Sequence, residues 1–141
     1  MKTCFVISPI GDENSVQRAH TDKVLHSIIM PAMKALNMQA FRADQLDKPG
    51  KITDQMFTEI FKADLCIAVL TGHNPNVFYE LAIAQSDKKP VIILISKTDE
   101  LPFDIKDLRS IFYDIESNSF EPVINRLVSY VNSFEKDNWK G

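Results

Sequence analysis

One carboxylate stands out in this chain as a group that could do chemistry. Glu80 lies in the run Asn74-Pro75-Asn76-Val77-Phe78-Tyr79-Glu80-Leu81-Ala82-Ile83-Ala84, and it is the only charged side chain between His73 and Asp87. A carboxylate early in a helix gains from the helix dipole, which favours its ionised form. An ionised glutamate at a cleft can attack a sugar carbon or stabilise a developing oxocarbenium ion. The spacing also supports a plainer reading. Asn76, Glu80 and Asp87 fall on one helical stripe, and such a stripe can simply face water.

Two polar loops are candidates for the other half of a site. The first is Ser8-Pro9-Ile10-Gly11-Asp12-Glu13 and the second is Thr71-Gly72-His73-Asn74-Pro75-Asn76. Each follows an apolar, strand-like run and leads into a helical pattern, whose free N–H groups suit anions. Ser8 and the Gly11 amide can cradle a phosphate, with Arg18 supplying charge. Against this, Asp12 and Glu13 repel an anion, and an ordinary strand-to-helix turn explains the same residues. Arg42 and Asp44 can reach the cleft or form a surface ion pair of little worth. Pro102-Phe103-Asp104 is either a lid or a plain connection. His73 can meet a base or a sugar, or stay solvated. His20, His26 and His73 lack metal-ligand spacing, so no metal is assigned. The chain holds no Gly-x-Gly-x-x-Gly, P-loop or Gly-x-Ser-x-Gly, which removes support for dinucleotide, kinase and serine-hydrolase chemistry.

The elements that would position these residues can be read from periodicity. Lys2–Ser8, Met38–Ala43, Leu65–Leu70, Val91–Ile95 and Ser110–Ile115 read as strands. Val16–Leu36 has helical spacing, with Pro31 placed to kink or split it. Thr53 reads as the N-cap of a helix running to Lys62. Val77–Ser86 reads as a helix with Asn74 as cap and Pro75 in the first turn. Phe120–Glu135 reads as an amphipathic final helix, followed by a tail expected to fray. Strands that alternate with helices require right-handed crossovers. The fold class expected is α/β, flavodoxin-like: a five-stranded parallel sheet in the order 2-1-3-4-5 with helices on both faces. In such sheets ligands bind beyond the carboxyl ends of the strands, where strand order reverses. The loops holding Ser8 and Asn74 would meet there.

Size and composition set the frame. The 141 residues suit one domain spanning 1–141, with 45% apolar and 25% charged residues. A net charge of −3 without a basic run gives no reason to expect nucleic acid as a partner. No apolar run approaches the ~20 residues of a membrane span, and none reads as a signal peptide. Cys4 and Cys66 sit in separate apolar runs and are expected to be buried, reduced thiols of a cytoplasmic protein.

Several segments together resemble the nucleoside 2-deoxyribosyltransferase-like superfamily, and within it a branch of small bacterial proteins. They are Phe5-Val6-Ile7-Ser8-Pro9-Ile10-Gly11, Arg42-Ala43-Asp44, Pro49-Gly50-Lys51-Ile52-Thr53, Ala63 to Thr71, and Asn74 to Ala82. The likeness runs from about Cys4 to about Asp104. It implies an enzyme that hydrolyses or exchanges the N-glycosidic bond of a nucleoside or nucleotide, without a cofactor, with Glu80 in the place of the nucleophilic glutamate. It further implies sugar and phosphate contacts at Ser8, Ile10 and Gly11, site-lining roles for Asn74 and Asn76, and a homodimer. The sequence departs from that pattern at Met56, where the active enzymes carry an aspartate. Asp54 is nearby, but two residues of helix turn a side chain about 200° away. Val69 also stands where an aspartate is expected. The alternative the resemblance leaves is a nucleotide-binding sensor or signalling module, TIR-like in shape, which would cleave NAD or act in defence against phage without deoxyribosyl transfer.

Overall fold

The computed structural model describes residues 1–9, 14–42, 52–72, 75–102, 105 and 108–139, and for 52–54 the backbone only. Its elements run β1 (Thr3–Ile7), α1 (Val16–Val24), a π-helical segment (Leu25–Ile29), α2 (Met30–Ala35), β2 (Gln39–Arg42), α3 (Ile52–Lys62), β3 (Leu65–Val69), α4 (Pro75–Ser86), β4 (Val91–Ser96), β5 (Arg109–Tyr113) and α5 (Glu121–Lys136). The five strands form one sheet in the order β2-β1-β3-β4-β5, and every pairing is parallel. This is the order expected from the alternation of strands and helices.

The strands show why the sheet is covered on both faces. β3 and β4 are buried at every residue, as befits central parallel strands with helices above and below. Alternate residues divide the core into two layers. Cys4, Val6, Ile67 and Leu94 pack under α1, α2 and α5. Phe5, Ile7, Cys66, Ala68 and Ile93 pack with Ile60 of α3 and with Val77, Leu81 and Ala84 of α4. Cys4 and Cys66 are buried free thiols, one in each layer.

Three local readings change and one is sharpened. Pro31 does interrupt the first helical run, through a π-helical segment just ahead of it, and sits in the first turn of α2. It lacks an N–H to donate back to Ser27, and the turn ahead of it widens so that the Met30 N–H bonds the Leu25 carbonyl five residues back. Thr53 lies inside α3 rather than capping it, because the helix begins at Ile52. Phe112 and Tyr113 end β5, earlier than the Ile115 expected. The tail is also tied down through Trp139. Its N–H bonds the Phe134 carbonyl at 2.8 Å, and Lys2 Nζ stands 5.0 Å from its ring centroid. Among the described residues no helix is long and apolar enough to cross a membrane.

Candidate functional site

The chain leaves β1, forms β2 on one side, then crosses to form β3 on the other side of β1. Order therefore reverses between β1 and β3, and sheets of this kind bind ligands beyond the carboxyl ends of such strands. Ser8 follows β1 there. Its Oγ is enclosed and has no hydrogen-bond partner among the described residues. Buried hydroxyls are almost always bonded, so an orphan at this end of the sheet calls for an explanation.

Glu80 lies on α4, the helix that packs against β1 and β3. Val77, Glu80, Leu81 and Ala84 are the buried residues of α4. Their spacing of three, four and seven is one helix face, turned to the sheet. Glu80 is only 8% exposed, so the reading of this stripe as a water-facing one is corrected. Asn76 and Asp87 are exposed, but the carboxylate beside them is not. The expected ionisation is corrected as well. Burial pushes the Glu80 carboxyl from its ordinary 4.5 up to about 7. Glu80 is the sixth residue of the helix, beyond the first turn, where the dipole acts. A carboxyl at about 7 is poised to exchange its proton near neutral pH.

The remaining candidates divide. Ile10, Gly11, Asp44, Asn74 and His73 lie outside the described residues, as do Phe103 and Asp104. Asp54 belongs to α3 by its backbone. Met56 of the same helix is half-buried and packs against the α3–α4 layer, so the position that would carry a second aspartate is apolar. Arg18 is engaged within its own helix, Nε bonding Asp22 Oδ1 at 3.1 Å. Arg42 is 3% exposed, and its Nη2 bonds the same oxygen at 2.6 Å. The Arg42 guanidinium is thus buried and held by a carboxylate from α1, and Asp44, its other expected partner, lies outside the described residues. Burial pushes the Asp22 carboxyl up, but the hydrogen bonds from Arg42 and Arg18 outweigh it and hold Asp22 below the usual range.

A second polar group at the same end of the sheet escaped the sequence reading. His20 Nε2 lies 2.7 Å from the Tyr113 hydroxyl. That hydroxyl also bonds Thr71 Oγ1, which accepts from the Ser96 N–H at 3.2 Å. The next residue, Gly72, donates its N–H to Asp99 at 3.1 Å. Burial keeps His20 below its ordinary value, and burial pushes the Tyr113 phenol up to about 12. The only signal in the sequence was that Thr71 and Tyr113 each sit where an apolar strand ends. Their partners lie 93 and 42 residues away, which no local pattern reveals. Among the described residues no cluster of His, Cys, Asp and Glu has the makings of a metal site.

No protein-family model matches the chain, and no curated protein sequence matches it. Solved structures do. A 2-deoxyribosyltransferase from Bacillus psychrosaccharolyticus superposes with a TM-score of 0.64 at 17% identity, over 87% of this chain and 90% of that one. A 2-deoxyribosyltransferase from Leishmania mexicana gives 0.59 at 18% identity, over 92% and 98%. A CMP N-glycosidase from Clostridium botulinum gives 0.57 at 16% identity, over 89% and 98%. The chain therefore has the nucleoside 2-deoxyribosyltransferase-like fold.

Proposed function

We propose that this protein cleaves the N-glycosidic bond of a nucleoside or nucleotide, with the Glu80 carboxylate meeting the anomeric carbon. The observation that carries the reading is Glu80 itself: a carboxylate buried on the sheet-facing side of α4, without an ion pair among the described residues. It stands in a fold whose solved neighbours include an N-glycosidase and two deoxyribosyltransferases. Loss of the base leaves positive charge on the sugar, and a carboxylate in a dry site stabilises it or bonds to it. Water then completes hydrolysis, or a second base completes transfer. The enclosed Ser8 hydroxyl is suited to a sugar or phosphate oxygen. On this reading Asn76, exposed in the first turn of α4, makes a polar contact with the same ligand.

The test is a panel of nucleosides, nucleotides and NAD, with released base measured by chromatography and binding by calorimetry. Base release from at least one member is expected. The ionised carboxylate is the working form, so activity rises with pH through about 7. Tight binding with no release from any member overturns cleavage and supports the sensor reading, which the apolar Met56 favours.

A further inference from the structure

His20, Thr71, Ser96 and Tyr113 come from α1, the turn after β3, the end of β4 and the end of β5, yet they form one hydrogen-bonded chain. Tyr113 is its centre. The ring is 1% exposed and packs in the layer under α1 and α5, which fixes where the hydroxyl can be. That hydroxyl has one proton and two lone pairs, and it spends two of these three capacities on His20 and Thr71. A tyrosine needed only for packing would be served by phenylalanine. Here the phenol reaches out of the core to the chain end of the sheet and grips a turn.

The turn is the one that leads to α4. Thr71 is held from two strands, by the Tyr113 hydroxyl and by the Ser96 N–H. Gly72 adopts φ +84°, a backbone region open to glycine. Its N–H is held by Asp99, from the loop after β4. Pro75, three residues on, is the first residue of α4, and Glu80 is on the next turn and a half of helix. We propose that Tyr113, clamped between His20 and Thr71, is a positioning residue: it fixes the turn from which α4 departs, and so sets where the Glu80 carboxyl stands against a bound sugar. The effect on a bound sugar rests on the proposed cleavage. The clamp itself rests on the hydrogen bonds alone.

The test uses the full chain with Tyr113→Phe, which keeps the ring and removes the grip. Amide hydrogen exchange is followed at Thr71, Gly72 and the first turn of α4, against the core amides of β3 and β4. Exchange at the turn is expected to rise about tenfold, with the core unchanged. With a substrate from the panel, kcat is expected to fall about tenfold while KM stays within about twofold, because misplacement of a reacting group costs rate more than binding. His20→Leu should behave in the same way, and His20→Gln, which retains a polar partner, should recover much of the loss. Should Tyr113→Phe fail to fold, Thr71→Val breaks the same contact from its other end. Unchanged exchange at the turn overturns the proposal, and so does a uniform rise across the sheet, which would make Tyr113 a core residue only. A loosened turn with an unchanged kcat separates the turn from Glu80 and also overturns it. If the wild-type protein releases no base, the cleavage reading fails, and the exchange pattern still decides whether Tyr113 holds the turn.

Discussion

Glu80 and Asp22 are two carboxylates on opposite faces of one sheet, and their surroundings drive them in opposite directions. Glu80 is buried under α4 without an ion pair among the described residues, and its carboxyl rises to about 7. Asp22 is more exposed and accepts from Arg42 and Arg18, and its carboxyl falls. Burial penalises charge in both cases, but among the described residues only Asp22 has cations to outweigh the penalty. The paired carboxylate is fitted to hold the structure together. The solitary one carries a cost in stability, which is common where a group is kept for chemistry.

Substitutions on the two sides should therefore part company. The largest effect expected is on activity: Glu80→Gln should lower base release by about a thousandfold or more, measured as kcat/KM on the best substrate. Asp22→Asn, assayed beside it, should keep most of the activity per folded molecule. If Glu80→Gln retains full activity, the contrast between the two carboxylates has no functional meaning.

Stability should show the converse. Asp22→Ala leaves the buried Arg42 guanidinium without this carboxylate and is expected to cost about 2–3 kcal/mol, read from urea unfolding at pH 7. The stabilisation that Asp22 gives is present above its unfolded value and is lost as pH falls through the lower folded one.

A smaller effect sharpens the comparison through pH. The Glu80 carboxyl is raised in the folded state, so the chain binds this proton more tightly folded than unfolded. Its contribution is fully present below about 4.5 and is lost as pH rises through about 7. Glu80→Gln removes that loss. The variant should gain about 2 kcal/mol on the wild type between pH 5 and pH 8, measured by urea unfolding at both. No change in the difference between the two proteins would mean that Glu80 is solvated.

Much of the architecture was legible in the residues. The unbroken apolar runs of β3 and β4 marked central strands, and the alternation of strands with helices pointed to the parallel order that is observed. The end of the sheet where a site should form was legible for the same reason, since handedness and strand order leave little freedom. Glu80 was legible as a lone charge in an apolar helix, but whether it faces water or the sheet was not. Asn76 is an exposed neighbour on nearly the same side of α4, and only the packing of Val77, Leu81 and Ala84 on the strands turns Glu80 inward.

The chain alone thus determined its elements and their order, because these follow from local spacing and from chirality, which act over a few residues at a time. Tertiary structure alone decided the state of each ionisable group. Arg42 meets Asp22 across 20 residues and His20 meets Tyr113 across 93. Charge and proton affinity depend on what stands within a few ångströms in space and on how much water is excluded, and neither is written in the spacing of the sequence.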